Sequence, residues 1–141
     1  MTLYADSSFL ASIYLLDVHS SEALRRMNAR PEIWLTPFHY AEIAHAISQA
    51  CFRGRIAARQ ADLARRSLAA DNTAGLWRRV DFPPAAFAVA SDLADRYGAR
   101  IGSRTLDSLH VACALELKAS RFWTFDDRQA RLARAAGLRT T

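Results

Sequence analysis

Four carboxylates in this 141-residue chain are placed where they can act together: Asp6, Glu42, Asp107 and Asp126. Asp6 ends the apolar run Leu3-Tyr4-Ala5 and is followed by Ser7 and Ser8, while Asp126 follows the run from Arg121 to Phe125. Each reads as an acid delivered at the carboxyl end of a strand, and the crevice outside the carboxyl ends of parallel strands is where ligands bind. Glu42 falls in the second turn of a helix opened by Thr36-Pro37, and Asp107 in the first turn of one that begins near Thr105. Four clustered carboxylates without a cation would force some of their number to protonate. A divalent ion reverses that penalty; magnesium takes oxygen ligands at about 2.0–2.1 Å, and manganese accepts similar sites. One or two such ions held by the acids would suit in-line displacement at a phosphodiester, where attacking and leaving oxygens both need stabilising.

Each acid also has an ordinary role. Aspartate is a preferred N-cap, and Asp126 with Gln129 three residues on has the capping-box spacing. Glu42 fits a solvated helix acid, and Asp107 favours its helix through the macrodipole. What argues for more is convergence: two acids at strand ends and two near helix beginnings can meet at one edge of a parallel sheet. Ser8 and Thr124 are candidates to fix carboxylate rotamers through their hydroxyls. His110, one turn after Asp107, is read as packing near the site and hydrogen-bonding locally, because magnesium sites rarely use imidazole. His39 and His45 flank Glu42 and receive no role. The helix after Asp6 is read as capped by Ser7 or Ser8, which leaves Asp6 free for a metal.

The elements that must position these residues alternate. Strands are expected over 3–5, 32–36, 76–80, 121–125 and 138–140. Helices are expected to about Leu16, over 20–29, 37–52 and 55–70, from Pro83-Pro84 to Tyr97 with a stop at Gly98, from Thr105 through Leu115, and over 127–136 with Gly137 as cap. The third helix should bury Phe38, Ala41, Ala44 or His45, and Ile47 or Ser48. The fourth should turn Ile56, Leu63 and Leu68 inward, with 71–75 as loop; Glu22, Arg25, Arg26 and Arg30 belong to the wet side of the second. A short link at Arg53-Gly54-Arg55 makes the third and fourth an antiparallel hairpin. Strands alternating with helices imply an α/β domain, its parallel sheet covered on both faces.

The composition is that of a single soluble domain covering residues 1–141, large enough to bury a core without disulfides or structural metal. Cys51 and Cys113 lie in helical patterns and read as buried free thiols in a reducing cytoplasm. No basic leader precedes the first apolar run, and no segment reaches membrane-spanning length. The net charge of +5 and pI near 9.9 suit an anionic partner, and the basic excess is nearly all arginine, Lys118 being the one lysine.

Four blocks carry a resemblance: Tyr4-Ala5-Asp6-Ser7-Ser8, then Thr36 to Ala44, then Thr105 to Ala112, then Thr124 to Gln129. In that order, and spanning 3–138, they resemble the PIN-domain ribonucleases, specifically VapC-type toxins of bacterial toxin–antitoxin pairs. The resemblance implies a three-layer α/β/α sandwich with a mostly parallel central sheet, and a projecting helix hairpin at Arg53-Gly54-Arg55. It implies a magnesium- or manganese-dependent endoribonuclease with Asp6, Glu42, Asp107 and Asp126 as catalytic metal ligands, supported by Ser8 and Thr124. A homodimer, an RNA substrate and an antitoxin whose C-terminal segment occupies the groove are implied as well. Two other small α/β classes are disfavoured by residues in view. A phosphoacceptor receiver needs an acidic pair where Asp6 is followed by serines, and a haloacid-dehalogenase-like phosphatase needs Asp-x-Asp where Ser8 stands. The remaining alternative is a PIN module that binds RNA or protein without cutting.

Overall fold

The computed structural model describes residues 2–140. Four short strands, β1 (Leu3–Ala5), β2 (Ile33–Leu35), β3 (Trp77–Arg79) and β4 (Arg121–Trp123), form a parallel sheet in the order β3-β2-β1-β4. Leu3 lies opposite Ile33 on one side and Arg121 on the other, so β1 is an inner strand. Its three residues are fully buried, as expected where crossover helices cover both faces.

Side chains alternate along a strand, and that alternation builds two cores. Tyr4 and Phe122 point to one face, their rings stacked at 5.5 Å, and meet α5 (Ala86–Leu93), α7 (Thr105–Glu116) and α8 (Asp127–Ala135). Leu3, Ala5, Ile33, Leu35 and Trp123 point to the other. They meet α1 (Ser7–Tyr14), α2 (Ser20–Met27), α3 (Pro37–Phe52) and α4 (Ala58–Thr73). Three layers result, with the expected α/β/α order. Helix α7 is buried from Ser108 through Ala114, in keeping with its nearly all-round apolar sequence. Among the described residues, no helix is long and apolar enough to cross a membrane.

Several local expectations need correction. Helix α3 has the expected bounds, but its inward residues are His39, Ile43 and Ile47, while Ala41, Ala44 and His45 are exposed. Burying isoleucine is worth roughly 1.5–3 kcal/mol and alanine far less, so the isoleucines set the helix rotation. Helix α4 packs on α1 and α3 through the small Ala61 and Ala64, leaving Leu63 58% exposed. Asp71, Asn72 and Thr73 belong to the last turn of α4 rather than to a loop, and Asp71 and Asn72 accept hydrogen bonds from Tyr14 and Tyr40.

Gly98 does not stop α5. The chain continues through a π turn (Ala94–Gly98) into α6 (Ala99–Ile101), and the stop is Gly102, whose φ of 74° only glycine adopts without strain. Arg26 is not on the wet side: its guanidinium lies 5.4 Å from the ring centres of Trp123 and Phe125. Cys113 is buried and Cys51 half-buried, both as free thiols. The expected strand over 138–140 amounts to one parallel bridge between Phe122 and Thr140.

Candidate active site

Asp6 leaves β1 in extended conformation, with φ −77° and ψ 177°, and is itself the N-cap of α1. Its Oδ1 accepts from the Phe9 amide at 3.0 Å and from Ser8 Oγ at 2.7 Å, and its Oδ2 accepts from Thr124 Oγ1. The expectation that Ser7 or Ser8 caps this helix, freeing Asp6, is therefore corrected. Ser8 is inside the helix, where its hydroxyl donates to Asp6 and accepts from the Phe125 amide at 3.0 Å. Ser7, the first helical residue, turns its hydroxyl to Glu42. One carboxylate is both cap and candidate ligand. Asp6 is 1% exposed, and burial pushes its pKa up; His110 and the Thr124, Phe9 and Ser8 donors offset part of that rise.

β4 is hydrogen-bonded to β1, and the Asp6 amide donates to the Trp123 carbonyl at 2.9 Å. The strand ends at Trp123, so Thr124 and Phe125 intervene before Asp126. Thr124 uses both functions of its hydroxyl: it donates to Asp6 and accepts from the Asp126 amide at 2.9 Å. Asp126 caps α8 by accepting from the Gln129 amide at 2.8 Å. Asp107 reaches back to the Arg104 amide at 2.9 Å, and its other oxygen accepts from Gln129 Nε2 at 3.3 Å. Gln129 thus ties Asp126 through its backbone and Asp107 through its side chain, and its buried Oε1 has no hydrogen-bond partner among the described residues. Its position three residues after Asp126 was the one sign of this in the sequence, and there it suggested only a cap.

Glu42 stands apart from these three. Its Oε1 accepts from Ser7 Oγ at 2.9 Å and from His110 Nε2, and His110 Nδ1 lies 2.8 Å from the Tyr4 hydroxyl. Burial alone would raise the Glu42 pKa, but the hydrogen bonds from His110 and Ser7 outweigh it and leave the pKa lowered. His110 therefore does pack and bond locally, as expected. His39, given no role, is fully buried, with Nδ1 accepting from the Thr36 amide at 3.0 Å and Nε2 3.0 Å from the Ala5 carbonyl. Exposed His45 bonds its own helix, at the Ala41 carbonyl.

Asp6, Asp126 and Asp107 are thus joined by Thr124 and Gln129, while Glu42 joins the neighbourhood through Ser7 and His110. Among the described residues, no three acid, histidine or cysteine side chains form a ready metal-holding group. The donors are nonetheless all hard oxygens, the kind that magnesium and manganese take. Buried Asp6, whose charge is disfavoured by its surroundings, is the donor that a cation would most relieve.

The model of the PIN domain matches residues 3–135. The chain belongs to the PIN-domain family. Solved PIN-fold neighbours agree over nearly the whole length. VapC20 of Mycobacterium tuberculosis, a toxin that cleaves the sarcin-ricin loop, superposes with a TM-score of 0.71 at 19% identity, covering 96% of this chain and 95% of its own. FitAcB of Neisseria gonorrhoeae gives 0.71 at 12% identity over 98% and 95%. VapBC2 of Rickettsia felis, bound to a DNA fragment from its promoter, gives 0.68 at 14% identity over 100% and 98%. A search of curated proteins gives no match. At these identities the likeness establishes the PIN fold.

Proposed function

We propose that this PIN domain is a VapC-type toxin: a magnesium- or manganese-dependent endoribonuclease neutralised by an antitoxin protein. The observation that carries this reading is the pairing of Asp6 and Asp126 across the hydroxyl of Thr124, at the carboxyl ends of adjacent strands, with Asp107 fastened to the same cluster by Gln129. Asp6, Glu42, Asp107 and Asp126 would hold one or two ions. When bound, such an ion supplies charge neutralisation at the phosphate and activation of a water. The chain's own part is orientation. Ser8 and Thr124 fix the Asp6 carboxylate through both its oxygens, and the Asp126 and Asp107 caps fix theirs on the first turns of α8 and α7. The arginine excess supports binding of an RNA backbone, an interaction that weakens with salt.

The partner reading rests on exposed apolar surface around the α3–α4 hairpin. Leu16 is 95% exposed and Phe52 86%, and Leu15, Leu16 and Ile56 line a cleft of about 340 Å³ where the end of α1 meets that hairpin. An antitoxin segment would cover this surface, and a homodimer in the cytoplasm completes the proposal.

Cleavage of labelled RNA with manganese, in wild type and Asp6→Asn, tests the enzyme reading. Manganese-dependent cutting in wild type alone is the expected result. Equal cutting by both would sink it, and no cutting by either would favour a PIN module that only binds.

A further inference from the structure

Among the described residues, Glu42 is the one candidate ligand that accepts no backbone amide, so side chains must hold it. The structure offers a chain that does. Tyr4 is fully buried on β1, its ring stacked on Phe122 and its hydroxyl 2.8 Å from His110 Nδ1. His110 is 2% exposed, and its Nε2 bonds to Glu42 Oε1. A carboxylate only accepts, so Nε2 must carry the proton; Nδ1 of a neutral ring is then an acceptor, and the Tyr4 hydroxyl is its donor. The proton order is therefore set from Glu42 inward. Among the described residues, Glu42 Oε2 takes no hydrogen bond, which leaves that oxygen available to a ligand.

We propose that Tyr4 and His110 are positioning residues for Glu42: the Tyr4 hydroxyl anchors Nδ1 of the His110 ring, whose Nε2–H fixes one carboxylate oxygen and presents the other. This rests on the nuclease reading above for what Glu42 is presented to. Neither Tyr4 nor His110 touches substrate in this scheme. Ser7 shares the task, because its hydroxyl donates to the same Glu42 oxygen and lies 3.3 Å from His110 Nε2. Partners that orient a ligating side chain in this way are worth roughly 10–100-fold in metal affinity or activity.

Tyr4→Phe removes one oxygen and keeps the stacked ring, so it tests the chain with the least disturbance. In metal-free protein, 15N NMR of the histidines should show His110 as the Nε2–H tautomer, with Nδ1 at the shift of a hydrogen-bonded acceptor in wild type and at that of an unbonded one in Tyr4→Phe. Calorimetric titration should show manganese binding weakened roughly 10–100-fold in Tyr4→Phe and His110→Leu. RNA cleavage should lose kcat with KM unchanged. His110→Gln, which restores an N–H near the position of Nε2, should recover part of the loss where His110→Leu does not. Wild-type manganese affinity and kcat in both Tyr4→Phe and His110→Leu would overturn the proposal, as would an unchanged Nδ1 shift in Tyr4→Phe. Failure of the nuclease reading looks different: wild type and Glu42→Gln alike would bind no manganese and cut no RNA. The Nδ1 shift then decides alone, its change in Tyr4→Phe supporting the chain and its constancy refuting it.

Discussion

His39 Nε2 donates to the carbonyl oxygen of Ala5 at 3.0 Å, joining the first turn of α3 to the last residue of β1. The direction follows from the other ring nitrogen, which accepts the Thr36 amide and so cannot carry the proton of a neutral imidazole. One buried histidine thereby holds the ends of β1 and β2 in register, immediately before Asp6. Burial, with the neighbouring His110, holds its pKa well below the usual histidine value.

That neutrality makes stability depend on pH. A histidine whose pKa is depressed on folding contributes stability that is present above its unfolded value, about 6.5, and lost as pH falls below it, since the unfolded chain takes up the proton more readily. Urea unfolding of metal-free protein should show stability falling from pH 7 to pH 5. His39→Asn should flatten that slope. It should also cost roughly 1–3 kcal/mol at pH 7, because the Ala5 carbonyl is left buried without its donor.

Asp6→Asn should separate chemistry from folding. Asparagine caps helices about as well as aspartate, so the Phe9 bond survives, and the new amide can donate to Thr124 Oγ1. Thermal unfolding without metal at pH 7 should show no loss of stability, since burial disfavours the Asp6 charge. Cleavage should fall at least about 100-fold and manganese should no longer raise Tm. Asp6→Ala, which deletes the cap, should be less stable than Asp6→Asn by about 1 kcal/mol.

Gln129→Leu removes the side-chain bond to Asp107 and leaves the backbone cap of Asp126 in place. Folding should be retained, by circular dichroism, while manganese affinity or cleavage drops roughly 10–100-fold. If Gln129 were only packing, the apolar leucine would leave both unchanged.

The double change Leu16→Ser and Leu63→Ser replaces exposed apolar side chains, 95% and 58% accessible, on the rim of the α1–α3–α4 surface. Tm should move little, within about 0.5 kcal/mol for each surface site. Co-purification with the antitoxin should weaken, and retention of full-strength capture would place the partner elsewhere.

The parts legible in the sequence were those with local punctuation. Thr36-Pro37 marked the start of α3 to the residue, and the acids ending apolar runs marked the carboxyl edge of the sheet. What escaped depended on long-range choices. Asp6, Ser7 and Ser8 are all good caps by type, and the selection of Asp6 came from residues more than a hundred positions away: the Phe125 amide claims the hydroxyl of Ser8, and Thr124 bonds the Asp6 carboxylate. Leu63 looked inward by hydrophobicity, but close packing of α4 on α1 and α3 admits alanine there. Gly98 looked like a stop, yet it sits within helical backbone, and the positive φ falls at Gly102. His39 gave no signal of its own and Gln129 only its capping-box spacing, because their roles are defined by a backbone carbonyl and a carboxylate from other elements.

The bridge between Phe122 and Thr140 runs parallel to β4. Polypeptide appended after the C-terminal end would therefore be launched along the outer side of β4, toward the edge that carries Asp6 and Asp126. Polypeptide placed ahead of β1 would set out from the opposite edge. For anyone expressing this protein, an affinity tag at the amino end leaves the acids unobstructed, and one at the carboxyl end is aimed at them.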